Sequence, residues 1–170
     1  MKLHYDLVET RLGWMGLLAS TKGARRTTLP QASPEECISS LGDEVAAAEW
    51  SPDRFESLRS LLDAYFDGVP VSFEDEPVDV ADASPFLQAA WTACRSIPYG
   101  QTRTYSWLAA RAGSPRAARA AGQCMARNRL PIVVPCQRIV ASDGGLGGFG
   151  RNADQLDLKR ALLDLEAGRL

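Results

Sequence analysis

The chain has 170 residues, 45% of them hydrophobic and 24% charged, which is enough for one large or two small domains with an apolar core and excludes a disordered, collagen-like or purely disulfide-framed chain. It holds no run of about 18 apolar residues and begins without a signal-like apolar stretch, so a cytoplasmic location is expected. The net charge of -2 conceals a split: residues 1–90 carry 16 acids and 7 bases, residues 91–170 carry 5 acids and 12 bases, and nine arginines between Trp91 and Arg151 face one acid, Asp143. That second half has the electrostatic footprint of a phosphate-facing surface.

In chain order, Leu3 to Val8, Trp14 to Ala19 and Ala24 to Leu29 read as an antiparallel meander, with Gly13 and Gly23 at the turns. Ser-Pro pairs at 33–34, 51–52, 84–85 and 114–115 each mark a helix start, since serine caps free N–H groups and proline suits the first helical position. After Ser51, Phe55, Leu58, Leu61, Leu62, Tyr65 and Phe66 recur at helical spacing as far as Gly68; after Ser84, Phe86, Leu87, Ala90, Trp91 and Cys94 do so until Ile97-Pro98-Tyr99-Gly100. A short helix from Tyr105 to Ala112 ends at Gly113, the Ser114-Pro115 signal opens another through about Arg127, and a last helix runs from about Leu156 to Glu166. Ile132-Val133-Val134 reads as a short buried strand. The pattern predicts an α+β protein with an N-terminal α/β domain over residues 1–76, a linker over 77–83 and a mainly helical domain over 84–170.

Two segments carry chemistry. The helices flanking Gly113 have helix-turn-helix spacing, and the second opens Arg116-Ala117-Ala118-Arg119-Ala120, small residues that allow close approach to a groove beside guanidinium groups that meet phosphate. The run Pro131-Ile132-Val133-Val134-Pro135-Cys136-Gln137-Arg138, followed by the glycine-rich stretch to Gly150, sets one cysteine in a dry, electropositive setting suited to a nucleophile. A buried structural thiol is the alternative reading of that cysteine. The cysteines Cys37, Cys94, Cys124 and Cys136 are widely spaced and His4 is the one histidine, so neither a zinc site nor a cofactor is expected.

Residues 84–166 resemble the catalytic domain of the O6-alkylguanine-DNA alkyltransferases through Ile97-Pro98-Tyr99-Gly100, Thr104-Tyr105, Leu108-Ala109, Ala118-Arg119-Ala120, Gly122, Asn128, Pro135-Cys136-x-Arg138, Ser142, Gly144, Leu146-Gly147-Gly148-Phe149, Lys159, Leu162-Leu163 and Glu166. The front of the chain is similar to the family's RNase H-like N-terminal domain, and the rest implies a helical, winged-helix-like domain with a helix-turn-helix. The resemblance implies single-turnover repair of double-stranded DNA by a monomer, with the alkyl group of O6-alkylguanine, and in some members O4-alkylthymine, passing irreversibly to Cys136. It further implies that Tyr105, Ala117, Ala118, Arg119, Ala120 and Arg138 contact DNA, with Arg119 filling the gap left by the flipped base and Tyr105 crowding the 3′ phosphate. Asn128 would brace the turn before the cysteine, Glu166 would end a hydrogen-bond relay, and Pro131, Val134, Ser142, Gly147, Phe149, Gly150 and Arg151 would line the guanine pocket.

The chain departs from the family at Gln137, where the motif has a histidine that takes the cysteine proton. Glutamine cannot titrate, and His4, in the first predicted strand, is read as structural or exposed. Three readings follow. The protein is an alkyltransferase whose Gln137 holds the water beside a reactive Cys136, an alkyltransferase-like lesion-binding or regulatory protein with weak or no transfer, or a helix-turn-helix module with an inert thiol. Retention of Cys136 favours the first.

Overall fold

The computed structural model describes residues 1–147 and 153–170. They form two units, Met1–Val80 with Arg129–Val133, and Ala81–Asn128 with Val134–Leu170.

The first unit is built on a four-stranded sheet. Strands β1 (His4–Thr10), β2 (Gly13–Ser20) and β3 (Gly23–Thr27) form the antiparallel meander, and a two-residue β4 (Glu49–Trp50) pairs parallel to β1, giving the order β3-β2-β1-β4. The turn glycines are required: Gly13 has φ +133° and a Cβ there would stand 2.5 Å from the Gln31 carbonyl oxygen, while Gly23 has φ +145° and would meet Pro77 at 2.5 Å. Met15 to Ser20 are all buried, so the central strand reads as an apolar run with both faces covered. Helix α1 (Pro34–Leu41) lies on β2, with Leu41 and Cys37 against Gly16, and helix α2 (Glu56–Phe66) buries Leu58, Leu62, Tyr65 and Phe66.

Two polar clusters, each centred on a buried carboxylate, tie these elements together. Asp6 accepts from the Trp50 indole at 3.2 Å and pairs with Arg59, joining β1, β4 and α2. Arg25 lies between Glu44 at 2.7 Å and Asp79 at 3.2 Å, and Ser20 donates to Asp79 at 2.6 Å. The Ser20 hydroxyl and the Arg25 guanidinium hold the Asp79 carboxyl below its ordinary range. Residues 77–79 run beside β3, with Ala24 N donating to Pro77 O and Asp79 N to Ala24 O. No group of three or more potential metal ligands occurs among the described residues.

The second unit contains α3 (Pro85–Arg95), α4 (Tyr105–Arg111), α5 (Ala118–Ala126) and α6 (Ala153–Glu166), with a minimal parallel pair, β5 (Arg103–Thr104) and β6 (Ile139–Val140). Helix α3 packs against α4 and α5, and its Trp91 indole donates to Cys124 O at 3.1 Å. Among the described residues, no helix is long and apolar enough to cross a membrane.

The Ser-Pro signals divide into two kinds. Ser33 and Ser84 cap their helices by accepting from Glu36 N and Leu87 N. Ser51 instead precedes a 3-10 turn, Pro52–Phe55, its hydroxyl engaged with His4 and Glu49 O. Ser114 closes a turn by accepting Ala117 N through its carbonyl, which delays α5 to Ala118. The expected Ile132–Val134 strand is a turn. Ile132 has φ +75°, and Pro131 and Pro135 lack N–H groups, so a ladder cannot continue through them.

Candidate active site

The turn that carries Cys136 is fixed from both sides. Pro135 has no N–H to donate, Cys136 N donates back to Val134 O at 2.8 Å and Arg138 N to Pro135 O at 2.9 Å, closing the 3-10 turn Cys136–Arg138. Just past α5, Asn128 Nδ2 donates to Val134 O at 2.8 Å and so links the helix end to the approach to the cysteine. Ile132 is buried in the left-handed region, which a β-branched residue occupies only at a cost of about 1–3 kcal/mol. Its segment belongs to the first unit, where Thr27 Oγ1 donates to Pro131 O at 2.7 Å and Thr27 N to Arg129 O at 2.9 Å.

Behind the cysteine lies a buried charge network. Glu166, at the end of α6, accepts from Arg138 Nε at 2.7 Å and from Gly100 N at 3.1 Å on one oxygen, and from Gln137 Nε2 at 3.0 Å on the other. The side chains of Arg138 and Glu166 are 5% and 1% exposed. Arg138 also donates to Ile97 O at 2.7 Å and stacks over the Tyr99 ring at 5.7 Å. The carboxylate therefore holds both residues after the cysteine, and Gln137, fully buried, keeps its amide N–H group toward Glu166.

Burial pushes the Cys136 thiol above its ordinary value, opposed by a hydrogen bond from Asn128 and by the charge of Lys159. Lys159 is fully buried, donates to Ile139 O at 2.6 Å and to Leu146 O, and is pushed down to about 8 by burial. Cys94, also fully buried, is raised well above its ordinary value by burial and by the neighbouring Cys136. The arrangement offers a buried thiol with the charge of Lys159 near it and a carboxylate network beyond it, and Gln137, the residue after the cysteine, cannot titrate.

Arg119 on α5 is exposed, and Ala117, Ala118 and Ala120 beside it are half-buried. The Tyr105 ring lies between α5 and the loop after β6: a Cβ on Gly122 would stand 3.6 Å from it, and one on Gly147, at φ +69°, only 2.8 Å. Ser142 lies in the turn that opens this loop, where Ala141 N donates to Gly145 O at 2.9 Å. Phe149, Gly150 and Arg151 lie outside the described residues. Gly100 and Lys159 enter the sequence reading only as matching positions. The signal for Lys159 is its i, i+3, i+7 spacing with Leu162 and Glu166, all buried on the face of α6 that turns inward.

Residues 85–168 match the family model described as 6-O-methylguanine DNA methyltransferase, DNA binding domain. Over 170 residues the chain is 34% identical to the methylated-DNA–protein-cysteine methyltransferase of Methanosarcina barkeri, covering 99% of each chain. The chain belongs to the methylated-DNA–protein-cysteine methyltransferase family. A crystal structure of the Mycobacterium tuberculosis O6-methylguanine methyltransferase superposes with a TM-score of 0.80 at 31% identity, covering 99% of this chain and 94% of that one. The structure of the same organism's protein in complex with DNA gives 0.79 at 33% identity, with 98% and 94% covered.

Proposed function

We propose that this methyltransferase repairs double-stranded DNA by accepting the alkyl group of O6-alkylguanine on Cys136. The observation that carries this reading is the placement of Cys136 on a proline-anchored turn between Asn128 and the Glu166–Arg138–Gln137 network, with Lys159 as the neighbouring cation. In the transfer, Sγ attacks the alkyl carbon, an S–C bond forms and the C–O6 bond breaks. The thiol proton leaves before attack, and guanine recovers its proton from solvent. The product thioether has no route back, so each chain acts once.

The basic half of the chain supports duplex binding, with Arg119, exposed at the start of α5, taking the place of the extruded base and the small Ala117, Ala118 and Ala120 permitting close approach. An O6-alkylguanine pairs poorly, so extruding it costs less than the few kcal/mol of a sound base. Gln137 does not act as a base. It donates to Glu166 and presents its amide oxygen on the opposite side, where it can hold a water that relays the thiol proton outward. Lys159 supplies the positive charge that a histidine would otherwise provide on protonation. The acceptor thus works with a smaller thiolate fraction, and its reaction is slower near neutral pH than with a titratable base.

The test is to incubate the protein with a duplex containing O6-methylguanine and digest the DNA to nucleosides. Conversion of O6-methylguanine to guanine, mole for mole with protein, supports the proposal. Lesion-selective binding with the modified base intact after long incubation selects the alternative, a lesion-binding protein in which Gln137 has ended transfer.

A further inference from the structure

The chain is buried at every position from Leu130 to Ile139, so the polar groups along it depend on partners inside the protein. Arg129–Val133 belongs to the first unit, and the chain enters the second at Val134, two residues before Cys136. Within the first unit Thr27, at the end of β3 and 6% exposed, grips this segment twice. Its N–H donates to Arg129 O at 2.9 Å and its hydroxyl to Pro131 O at 2.7 Å.

Ile132 comes next, at φ +75°, a backbone state that a β-branched residue leaves when it is free to do so. Beyond it, Val134 O accepts from Asn128 Nδ2 and from Cys136 N, both at 2.8 Å. The strained residue thus lies between the bonds from Thr27 on one side and those on Val134 O on the other. Strain of this kind persists only where the surroundings over-determine the backbone. Without the bond to Pro131 O, rotation of Ile132 toward negative φ relieves the strain and carries Val134 O with it.

We propose that Thr27 is a positioning residue for the acceptor thiol. Its hydroxyl, by fixing Pro131 O, holds Ile132 in the left-handed region and so sets the carbonyl on which the Cys136 turn closes. The inference rests on Cys136 being the alkyl acceptor. Because Thr27 acts through the backbone, its loss affects the rate of transfer rather than the recognition of DNA.

Thr28 supplies the control. Next in sequence and 3% exposed, its hydroxyl accepts from Gly16 N at 2.9 Å and donates to Cys37 Sγ at 3.7 Å, bonds that stay between the sheet and α1. Thr27→Val and Thr28→Val each delete one buried hydroxyl at nearly constant shape, and both should lower the urea midpoint. In single-turnover transfer from a saturating O6-methylguanine duplex, Thr27→Val is expected to lower the plateau rate per folded molecule about tenfold or more, with lesion affinity within about twofold of the parent. Thr27→Ser, which keeps the donor, should restore the rate to within about threefold, and Thr28→Val should leave it at the parental value.

Amide hydrogen exchange gives a readout independent of transfer. The Cys136 N–H should exchange about tenfold faster in Thr27→Val and at the parental rate in Thr28→Val, while in the parent the Thr27 and Cys136 N–H groups should open together. An unchanged rate in Thr27→Val, equal effects of the two valine variants, no recovery with serine, or a parental Cys136 N–H that opens while that of Thr27 stays protected would overturn the proposal. A parent that binds the lesion without transfer would instead overturn the acceptor reading, and the exchange measurements would still decide the role of Thr27.

Discussion

Removing the Glu166 carboxylate is the most informative perturbation of the buried network. Glu166→Ala deprives three donors of their acceptor at once: Arg138 Nε, Gln137 Nε2 and Gly100 N, at 2.7, 3.0 and 3.1 Å. Arg138 remains buried with its charge uncompensated and with Ile97 O as its remaining carbonyl contact. Removing one partner of such a pair costs about 3–5 kcal/mol. Glu166→Gln keeps the shape and an acceptor for Arg138 and Gly100, but loses the charge and forces Gln137 to turn its amide, which predicts a loss of about 1–3 kcal/mol. Urea unfolding reads both. With a slope of about 1–3 kcal/mol per molar, Glu166→Ala lowers the midpoint by about 1 M or more without changing the slope. The double variant Arg138→Met with Glu166→Met should recover part of that loss, since apolar replacement of a buried pair removes the stranded charge. A Glu166→Ala protein within about 0.5 kcal/mol of the parent would refute the claim that this carboxylate holds the cysteine turn.

The remaining predictions concern the reaction. Since burial holds the Cys136 thiol above its ordinary value, the thiol is protonated at neutral pH and the transfer rate rises as pH increases through that value. Gln137→His should move the rise to lower pH and Lys159→Met to higher pH, with unfolding midpoints checked in parallel because Lys159 also serves two carbonyls; superimposable profiles would show that neither position governs thiolate formation. Gly122→Ala should leave transfer intact and add up to about 1 kcal/mol of helix stability, because its Cβ meets Tyr105 at an ordinary 3.6 Å, whereas Gly147→Ala at 2.8 Å and φ +69° should displace the Tyr105 ring and lower lesion affinity. Equal behaviour of the two alanines in duplex binding and urea unfolding would contradict that geometry. Arg119→Ala should slow lesion processing more than it weakens bulk duplex binding, measured by transfer rate against affinity for undamaged DNA. Equal losses would remove Arg119 from base extrusion.

Much of the fold is legible in the sequence because local signals agree with tertiary packing. The meander, the amphipathic α2 and α3, and the Ser33 and Ser84 caps follow from alternation, helical spacing and capping chemistry alone. The signals fail where a group is claimed by a distant partner. Ser51 is drawn to His4, and Ser114 contributes its carbonyl to a turn, so neither side chain caps a helix. The strand β4 is two exposed residues with no alternation to read, visible only through its pairing with β1. The Ile132–Val134 run has strand composition but flanking prolines and a positive φ, a backbone demand that residue type does not announce.

The site divides in the same way. The motif marks Cys136, Asn128, Arg138 and Glu166 by position; the structure gathers Arg138, Gln137 and Gly100 on Glu166, and sets Asn128 against Val134 O and the Cys136 thiol. The work of Gly100 is invisible to residue type because it acts through its backbone N–H. That of Lys159 is hidden because a lysine in a helix ordinarily reads as a solvent-facing charge. The split of charge between the two halves of the chain is plain in the sequence.

The central claim is that Cys136 is the alkyl acceptor despite Gln137. Peptide mass analysis after incubation with an O6-methylguanine duplex tests it directly. The account predicts a gain of one methylene on the peptide that contains Cys136, reaching one per chain and absent in Cys136→Ala, with Cys37, Cys94 and Cys124 unmodified. An unmodified Cys136 in protein that binds the lesion, or a methyl group on another cysteine, would contradict it.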